Sequence, residues 1–236
     1  MSAATGKALP RGEAAPRSVG ERSLLQRLGR VASLPLYEQA NLAELAWQRA
    51  KGHFFYRRVF GSFGNGSVLY PPTMIANPRF MHIGDRVMIR KGARLEAVLL
   101  DPDNPPEIRI GNDVNIEQDV HIVAIGKIHI HDKISIAPRS TLLCSTHPFL
   151  DVDDPVKIGD RLEGAGSYIE IGEGSLLGVG SVVLMNVRIG RRVVVGSNST
   201  VKKDVADDCV VAGSPAAVVR WYDREEGRWR RPAKQQ

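Results

Sequence analysis

A chain of 236 residues with 43% hydrophobic residues can bury a core, while 6% aromatics beside 23 glycines and 14 prolines exclude a helical bundle and fit thin layers of Ile, Val and Leu broken by turns. The formal charge of +6 points to anionic partners, but the basic residues gather at the two ends with no basic run interleaved with stacking aromatics and no zinc-finger spacing, which excludes nucleic acid as the expected partner. Cys144 and Cys209 make no disulfide framework, no apolar run reaches the roughly 18 residues of a transmembrane segment, and Met1 to Gly20 lack a signal-peptide core, so a cytoplasmic protein with reduced thiols is expected.

Residues 1–17, rich in Ala, Gly, Pro and Arg, read as a flexible terminus. A helical extension is predicted over 18–60. Ser18 and Glu21 have the spacing of a capping box, and Leu24, Leu25, Leu28 and Val31 follow at helical intervals up to Pro35. A second amphipathic run, Leu36 to Lys51, places Leu42, Leu45, Ala46 and Trp47 along one stripe. The expectation is that these helices pack on the following domain; a subunit interface or peripheral contact with a membrane surface, with Arg57 and Arg58 beneath, are the alternatives. Gly61 to Gly66 reads as a turn-rich hinge.

A period of six then begins. Ile83, Ile89 and Leu95 carry Val87 and Ala93 four positions on, and Asp101 to Pro106 interrupt as a loop. Ile110, Ile116, Ile122 and Ile128 follow with Val114 and Val120, and then Ile130, Ile136 and Leu142 with Ile134, Ser140 and Thr146. The last run is Ile171, Leu177, Val183, Ile189, Val195 and Val201, with Ser175, Ser181, Val187, Val193, Ser199 and Val205 in the companion slot. A helix repeats at about 3.6 residues and a lone strand at 2, so six signals stacked short strands: the large residue fills a triangular coil and the small one lets the chain turn. The prediction is an all-β parallel β-helix over 61–222, followed by a basic tail, 223–236. Periodicity does not give its handedness.

The repeat stops at His147, followed by Pro148 and about twenty residues out of period. A hydroxyl is a poor nucleophile until its proton is taken, and imidazole is the side chain suited to that near neutral pH. A lone His after a strand reads, by itself, as an exposed loop residue. In the loop from Pro148 to Tyr168, Asp151, Asp153 and Asp154 read as a solvated acidic turn rather than a metal site, and the loop, longer than an ordinary connection, is expected to border a binding pocket.

Ser145-Thr-His-Pro148, Lys203-Asp-Val205 and Ala212-Gly-Ser-Pro215 carry a resemblance to the hexapeptide-repeat acyltransferases, especially the branch of maltose, galactoside and polysaccharide O-acetyltransferases, over residues 80–220. The resemblance implies a left-handed β-helix, a homotrimer with active sites between neighbouring β-helices, and acetyl-CoA as donor to a sugar hydroxyl of a polysaccharide or glycolipid precursor, with no metal. It makes His147 the general base and puts Asp119 in a slot that holds an Asn in the sugar acetyltransferases. There Asp119 either orients the imidazole or is only a turn residue, with Asn115 or a backbone N–H serving instead. Lys202 and Lys203 fall near the CoA phosphates and Arg220 on a tail arginine. Val179 and Ser197 line the pantetheine slot, with Gly178 and Gly196 permitting close approach. Leu176 and Ala217 depart from the family, where a Trp and often a basic residue stand. Sugar N-acylation and a non-catalytic β-helical scaffold remain as alternatives. A zinc carbonic anhydrase using His121, His129, His131 and His147 is the least favoured, because their spacing does not match that group.

Overall fold

The hexad residues come to the same place in every coil because each coil is three short strands joined by corners. In a computed structural model, which describes residues 31–232, face one is β1 (Ser62–Phe63), β4 (Met81–Ile83), β7 (Glu107–Ile110), β10 (Lys127–Ile130), β13 (Tyr168–Ile171) and β16 (Val187–Ile189). Face two is β2 (Val68–Leu69), β5 (Met88–Ile89), β8 (Asn115–Ile116), β11 (Ser135–Ile136), β14 (Leu176–Leu177), β17 (Val194–Val195) and β19 (Cys209–Gly213). Face three is β3 (Met74–Ala76), β6 (Arg94–Ala97), β9 (His121–Ala124), β12 (Thr141–Cys144), β15 (Val182–Leu184) and β18 (Thr200–Val201). All these pairings are parallel, and the fold is the left-handed β-helix.

The register explains the period. Ile83, Ile110, Ile130, Ile171 and Ile189 pair in turn down face one, and Ile89, Ile116, Ile136, Leu177 and Val195 down face two. None of these side chains is more than 2% exposed. Burial of each stabilises the fold by about 1.5–3 kcal/mol. The companion slots are buried too, Val205 the most exposed of them at 8%, except Thr146, which is exposed because the chain has already left the coil there. The serines in those slots satisfy their hydroxyls within the stack, Ser181 Oγ on Ser140 Oγ at 3.3 Å and others on the backbone. Ser175 Oγ donates to Gly190 O at 2.9 Å, and Ser140 Oγ lies 2.9 Å from Ala137 O and 3.0 Å from Gly178 O.

Corners between faces one and two are built by Asn and Asp. Asn65 N–H donates to Asp85 Oδ1 at 2.6 Å, Asp85 N–H to Asn112 Oδ1 at 2.8 Å, and Asn112 N–H to Asp132 Oδ1 at 2.7 Å, so each coil caps the one before it. The residues that follow, Arg86, Asp113 and Lys133, turn the chain with φ between 55° and 58°. Two long excursions, 98–106 and 145–167, both leave from the corner between faces three and one, where β9 and β10 are joined only by Ile125 and Gly126.

The chain divides into a unit up to Ala43 and a unit from Glu44 onward. Helix α1 (Leu36–Lys51) runs into a π-helical segment (Gly52–Tyr56) and a short α2 (Arg57–Val59). The buried side of this cap is Gln48, Gly52, Tyr56 and Phe60, not the stripe expected from Leu42 to Trp47; Trp47 is 65% exposed. The π turn lines up residues four apart, and Gly52 allows the contact, since a Cβ there would stand 3.0 Å from Phe63 Cε1 and 3.1 Å from Ser67 O. Tyr56, Phe60 and Phe63 form an aromatic cluster with centroids 5.4 to 5.5 Å apart. The stretch read as a hinge therefore holds the first strand: Phe63 fills the core slot that an aliphatic residue fills in later coils.

At the other end β20 (Ala216–Asp223) turns back antiparallel on β19 and is joined by β21 (Arg228–Arg230), so the basic tail expected from residue 223 contains a strand. Asp208 ties this hairpin down through Arg192 and Arg224, each at 2.5 Å. Residues 1–30, with the expected flexible terminus and first helix, and 233–236 lie outside the described residues. Among the described residues no helix is long and apolar enough to cross a membrane.

Candidate active site

Strand β12 ends at Cys144, and the chain then leaves the coil. Thr146 and Glu163 exchange backbone hydrogen bonds of 2.9 and 3.0 Å, which closes residues 147–162 into a loop with His147 at its base. The His147 ring is exposed, and its Nδ1 lies 2.8 Å from the backbone oxygen of Arg161. A carbonyl only accepts, so Nδ1 carries the hydrogen and Nε2 presents its lone pair outward. That is the tautomer a general base requires.

Arg161 organises the loop. Its side chain is 11% exposed and donates from Nε to Val156 O at 2.7 Å, from Nη1 to Asp151 O at 2.9 Å and from Nη2 to Asp154 O at 2.7 Å. Asp154 Oδ2 pairs with Nε at 3.1 Å. Asp151 and Asp154 also accept from the backbone N–H groups of Asp153 and Val156, at 3.1 and 2.8 Å. The acidic run is thus loop architecture, with exposed Asp151 and Asp153 and a paired Asp154. Sequence reasoning missed Arg161; its signal was a guanidinium within ten residues of three carboxylates.

Beside this loop lies a cleft of about 490 Å³, lined by Leu100 and Asp101 from the first excursion, Leu162 and Glu163 from the second, Met185 and Asn186, and the backbone of Gly164 to Ser167. It joins carboxylate and amide groups to apolar side chains, a lining suited to a polyhydroxylated ring.

Asp119 stands elsewhere. It occupies the corner before β9, exposed, with φ of 58°, while His147 follows the far end of β12, and β9 and β12 pair in register from His121–Thr141 to Ala124–Cys144. The two residues therefore lie at opposite ends of face three, a strand length apart. Among the described residues nothing hydrogen-bonds to the Asp119 side chain.

Val179 and Ser197 sit on successive coils at the corner between faces two and three, linked by Asn198 N–H donating to Val179 O at 2.8 Å. Gly178 keeps this edge thin: a Cβ there would stand 2.6 Å from Ser197 N. Lys202 and Lys203 are exposed at the opposite end of face three, and Arg220 is exposed on β20 opposite Val210. Leu176 and Ala217 are exposed on face two and β20. Within one chain only Val179 and Ser197 come together.

The other histidines do not converge. His121 pairs with Glu96 at 3.2 Å, His129 with Glu107 at 3.1 Å and His131 with Glu170 at 3.1 Å, each with its own carboxylate. Among the described residues no group of three or more His, Cys, Asp or Glu is placed to hold a metal. Burial pushes the Cys144 thiol up, which leaves it a thiol rather than a nucleophile near neutrality.

Burial opposes ionisation of Glu96 and Glu107, but the hydrogen bonds from Arg94 and His121 and from His129 and Arg109 outweigh it, and both carboxyls fall below the usual range. Arg188 lowers Glu170 in the same sense. In the window between the lowered values and the ordinary 4.5, the unfolded chain binds more protons, so the stabilisation is complete above 4.5 and is lost as the pH falls through the lowered values. Thermal melts are expected to be level above that pH and to fall below it, with a shallower fall in a Glu96→Gln, Glu107→Gln, Glu170→Gln variant. An equally steep fall in the variant would contradict the assignment.

A family model for the bacterial transferase hexapeptide (six repeats) matches residues 168–203. The chain is 28% identical over 176 residues, 73% of its length and 86% of the relative's, to the putative lipopolysaccharide biosynthesis O-acetyl transferase WbbJ of Escherichia coli strain K12. It is 30% identical over 113 residues to the galactoside O-acetyltransferase of Lactococcus lactis, where the match spans 48% of this chain and 52% of that enzyme. Among solved structures, the AntD N-acyltransferase from Bacillus cereus shares the fold with a TM-score of 0.60 at 20% identity, over 72% of this chain and 87% of that one. A hexapeptide-repeat-containing acetyltransferase from Vibrio cholerae does so with a TM-score of 0.51 at 23% identity, over 81% and 92%. The stacked coils and the six-residue register are those of the hexapeptide repeat, and in sequence the chain is similar to the galactoside and lipopolysaccharide O-acetyltransferases.

Proposed function

We propose that this protein transfers an acetyl group from acetyl-CoA to a hydroxyl of a sugar, in a polysaccharide or glycolipid precursor. The observation that carries the reading is His147, whose Nδ1–H is held by the Arg161 carbonyl so that Nε2 is available as a base, at the foot of the loop whose other end, Leu162 and Glu163, borders the cleft. Nε2 takes the proton of the acceptor hydroxyl, and the oxygen attacks the thioester carbonyl. The carbon–sulfur bond breaks, and the CoA thiolate leaves with the proton returned from Nε2. Holding both substrates in one cleft supplies much of the acceleration.

The names of the relatives support O-acetylation of a galactoside or of a lipopolysaccharide precursor. On the donor side, Val179 and Ser197 border the pantetheine chain, and Lys202, Lys203 and Arg220 face its phosphates, where cations are required. These groups lie at separate corners of one chain, so the reading includes a homotrimer in which neighbouring β-helices complete the site. Asp119 acts on His147 only if a neighbouring chain presents it.

The test is calorimetric binding of acetyl-CoA followed by thiol release with a panel of sugars and oligosaccharides, with the mass of the assembly from sedimentation equilibrium. Binding with sugar-dependent thiol release by a trimer is the expected result. Absence of acetyl-CoA binding would overturn the reading and favour a β-helical scaffold with the altered groove that Leu176 and Ala217 mark.

A further inference from the structure

Between Leu45 and Gly84 the chain carries Arg49, Lys51, Arg57, Arg58 and Arg79, with His53 and His82, and no Asp or Glu. The preceding acid, Glu44, is occupied by Lys91 at 3.0 Å. A stretch of one sign in a chain with 26 acidic residues is not the texture of an ordinary solvated surface. The cap sorts these residues by face. Gln48, Gly52, Tyr56 and Phe60 are buried, whereas Trp47 and Phe54 are each 65% exposed and Phe55 is 52% exposed. Trp47 on α1 and Phe54 and Phe55 on the π-helical segment all lie off the buried line of Gln48, Gly52, Tyr56 and Phe60.

The cations lie on the same short segment as these rings: Arg58 Nη1 reaches back to the Phe54 backbone oxygen, and Lys51 Nζ lies 5.1 Å from the centroid of the buried Tyr56. Beside them Arg49, His53 and Arg57 line a cleft of about 230 Å³ whose other wall is the turn from Gly64 to Ser67. Exposed Trp and Phe among arginines and lysines are the composition of a segment lying in the interface of a bilayer, its rings at the level of the headgroups and its cations on anionic lipid phosphates.

We propose that the cap, through Trp47, Phe54 and Phe55 with Arg49, Lys51, Arg57 and Arg58, docks the protein on an anionic membrane surface. Charge argues against the other occupants. The same patch of a second copy would set cation against cation. Residues 1–30 carry Lys7, Arg11, Arg17, Arg22, Arg27 and Arg30 against Glu13 and Glu21, so they repeat the sign of the patch rather than complement it. The docking is independent of the acyl transfer proposed above.

The experiment is co-sedimentation of the full chain with vesicles of phosphatidylcholine alone and of phosphatidylcholine mixed with phosphatidylglycerol. Affinity for the anionic vesicles is expected to be at least about tenfold higher and to fall as salt is raised. A Trp47→Ser, Phe54→Ser, Phe55→Ser variant and an Arg49→Gln, Arg57→Gln, Arg58→Gln variant are each expected to lose about tenfold or more with unchanged melting temperature. Equal sedimentation with both vesicles, or with neither, would overturn the proposal. So would full displacement by inorganic phosphate, which marks a free-anion site, or a smaller assembly for the aromatic variant in the absence of lipid, which marks an interface between copies.

Discussion

Replacing His147 by alanine is expected to lower acetyl transfer by about a thousandfold while leaving the dissociation constant for acetyl-CoA unchanged. The two effects separate because the imidazole touches only the acceptor proton in the proposed step, whereas Val179, Ser197, Lys202 and Lys203, the groups proposed to hold the donor, sit on coils beyond β12 and share no hydrogen bond with it. The ring is exposed and fills no core slot, so the melting temperature is expected to stay that of the parent. Added imidazole is expected to restore part of the rate, since the cavity left by the side chain faces solvent. A variant that retains more than a tenth of the parent turnover would show that His147 is not the base.

Arg161→Met is expected to be the second most damaging change, although Arg161 enters the proposed reaction only by positioning His147. It removes the donors to the carbonyls of Asp151, Asp154 and Val156 and leaves Asp154 without its cation. A lost hydrogen bond to a charged group costs about 1.5–3 kcal/mol, which is comparable to the order such a loop holds. Once the loop loosens, the carbonyl that fixes His147 Nδ1–H moves, and the fraction of the enzyme with Nε2 correctly placed falls. Turnover is expected to drop about tenfold to a hundredfold with the KM for acetyl-CoA unchanged, and amide exchange is expected to rise over 148–160. Lysine at 161 is not expected to rescue, because an ammonium cannot reproduce the planar fork that serves carbonyls on three sides. Unchanged turnover in Arg161→Met, with the exchange increase present, would show that loop order and imidazole placement are uncoupled.

The sequence is legible where one residue meets one requirement in every coil. The period of Ile, Leu and Val named the core, since a residue buried between identical neighbours above and below must be large and apolar. The corner residues Asp85, Asn112 and Asp132 did not stand out, since their role, a short acceptor side chain on the preceding coil's N–H, shows only once the coils are stacked. The first coil escaped because Phe63 is an aromatic in an aliphatic slot between glycines, which reads as a turn. The buried side of the cap escaped because a π turn changes the helical phase: Gln48 and Gly52 carry no apolar signal, and the amphipathic stripe that includes Trp47 is in fact the outer one. His147 stood out by its motif and Arg161 did not, because the guanidinium acts mainly on backbone oxygens, whose only trace in the sequence is the nearby carboxylates. For Asp119 the motif gave a slot, while the coil geometry that sets it a strand length from His147 appears only once the register is known.

The two excursions that wall the cleft leave the same corner two coils apart, with the tight Ile125–Gly126 connection between them. Neighbouring strands stand about 4.8 Å apart, so the opening is about 10 Å tall and changes in whole steps. Adding or removing one coil between the excursions would heighten or lower it by a single step without disturbing the packing of any other coil. The size of acceptor that such a scaffold admits is therefore quantised: it is set by an integer count of coils, and only the chemistry within each step is left to the side chains of the loops.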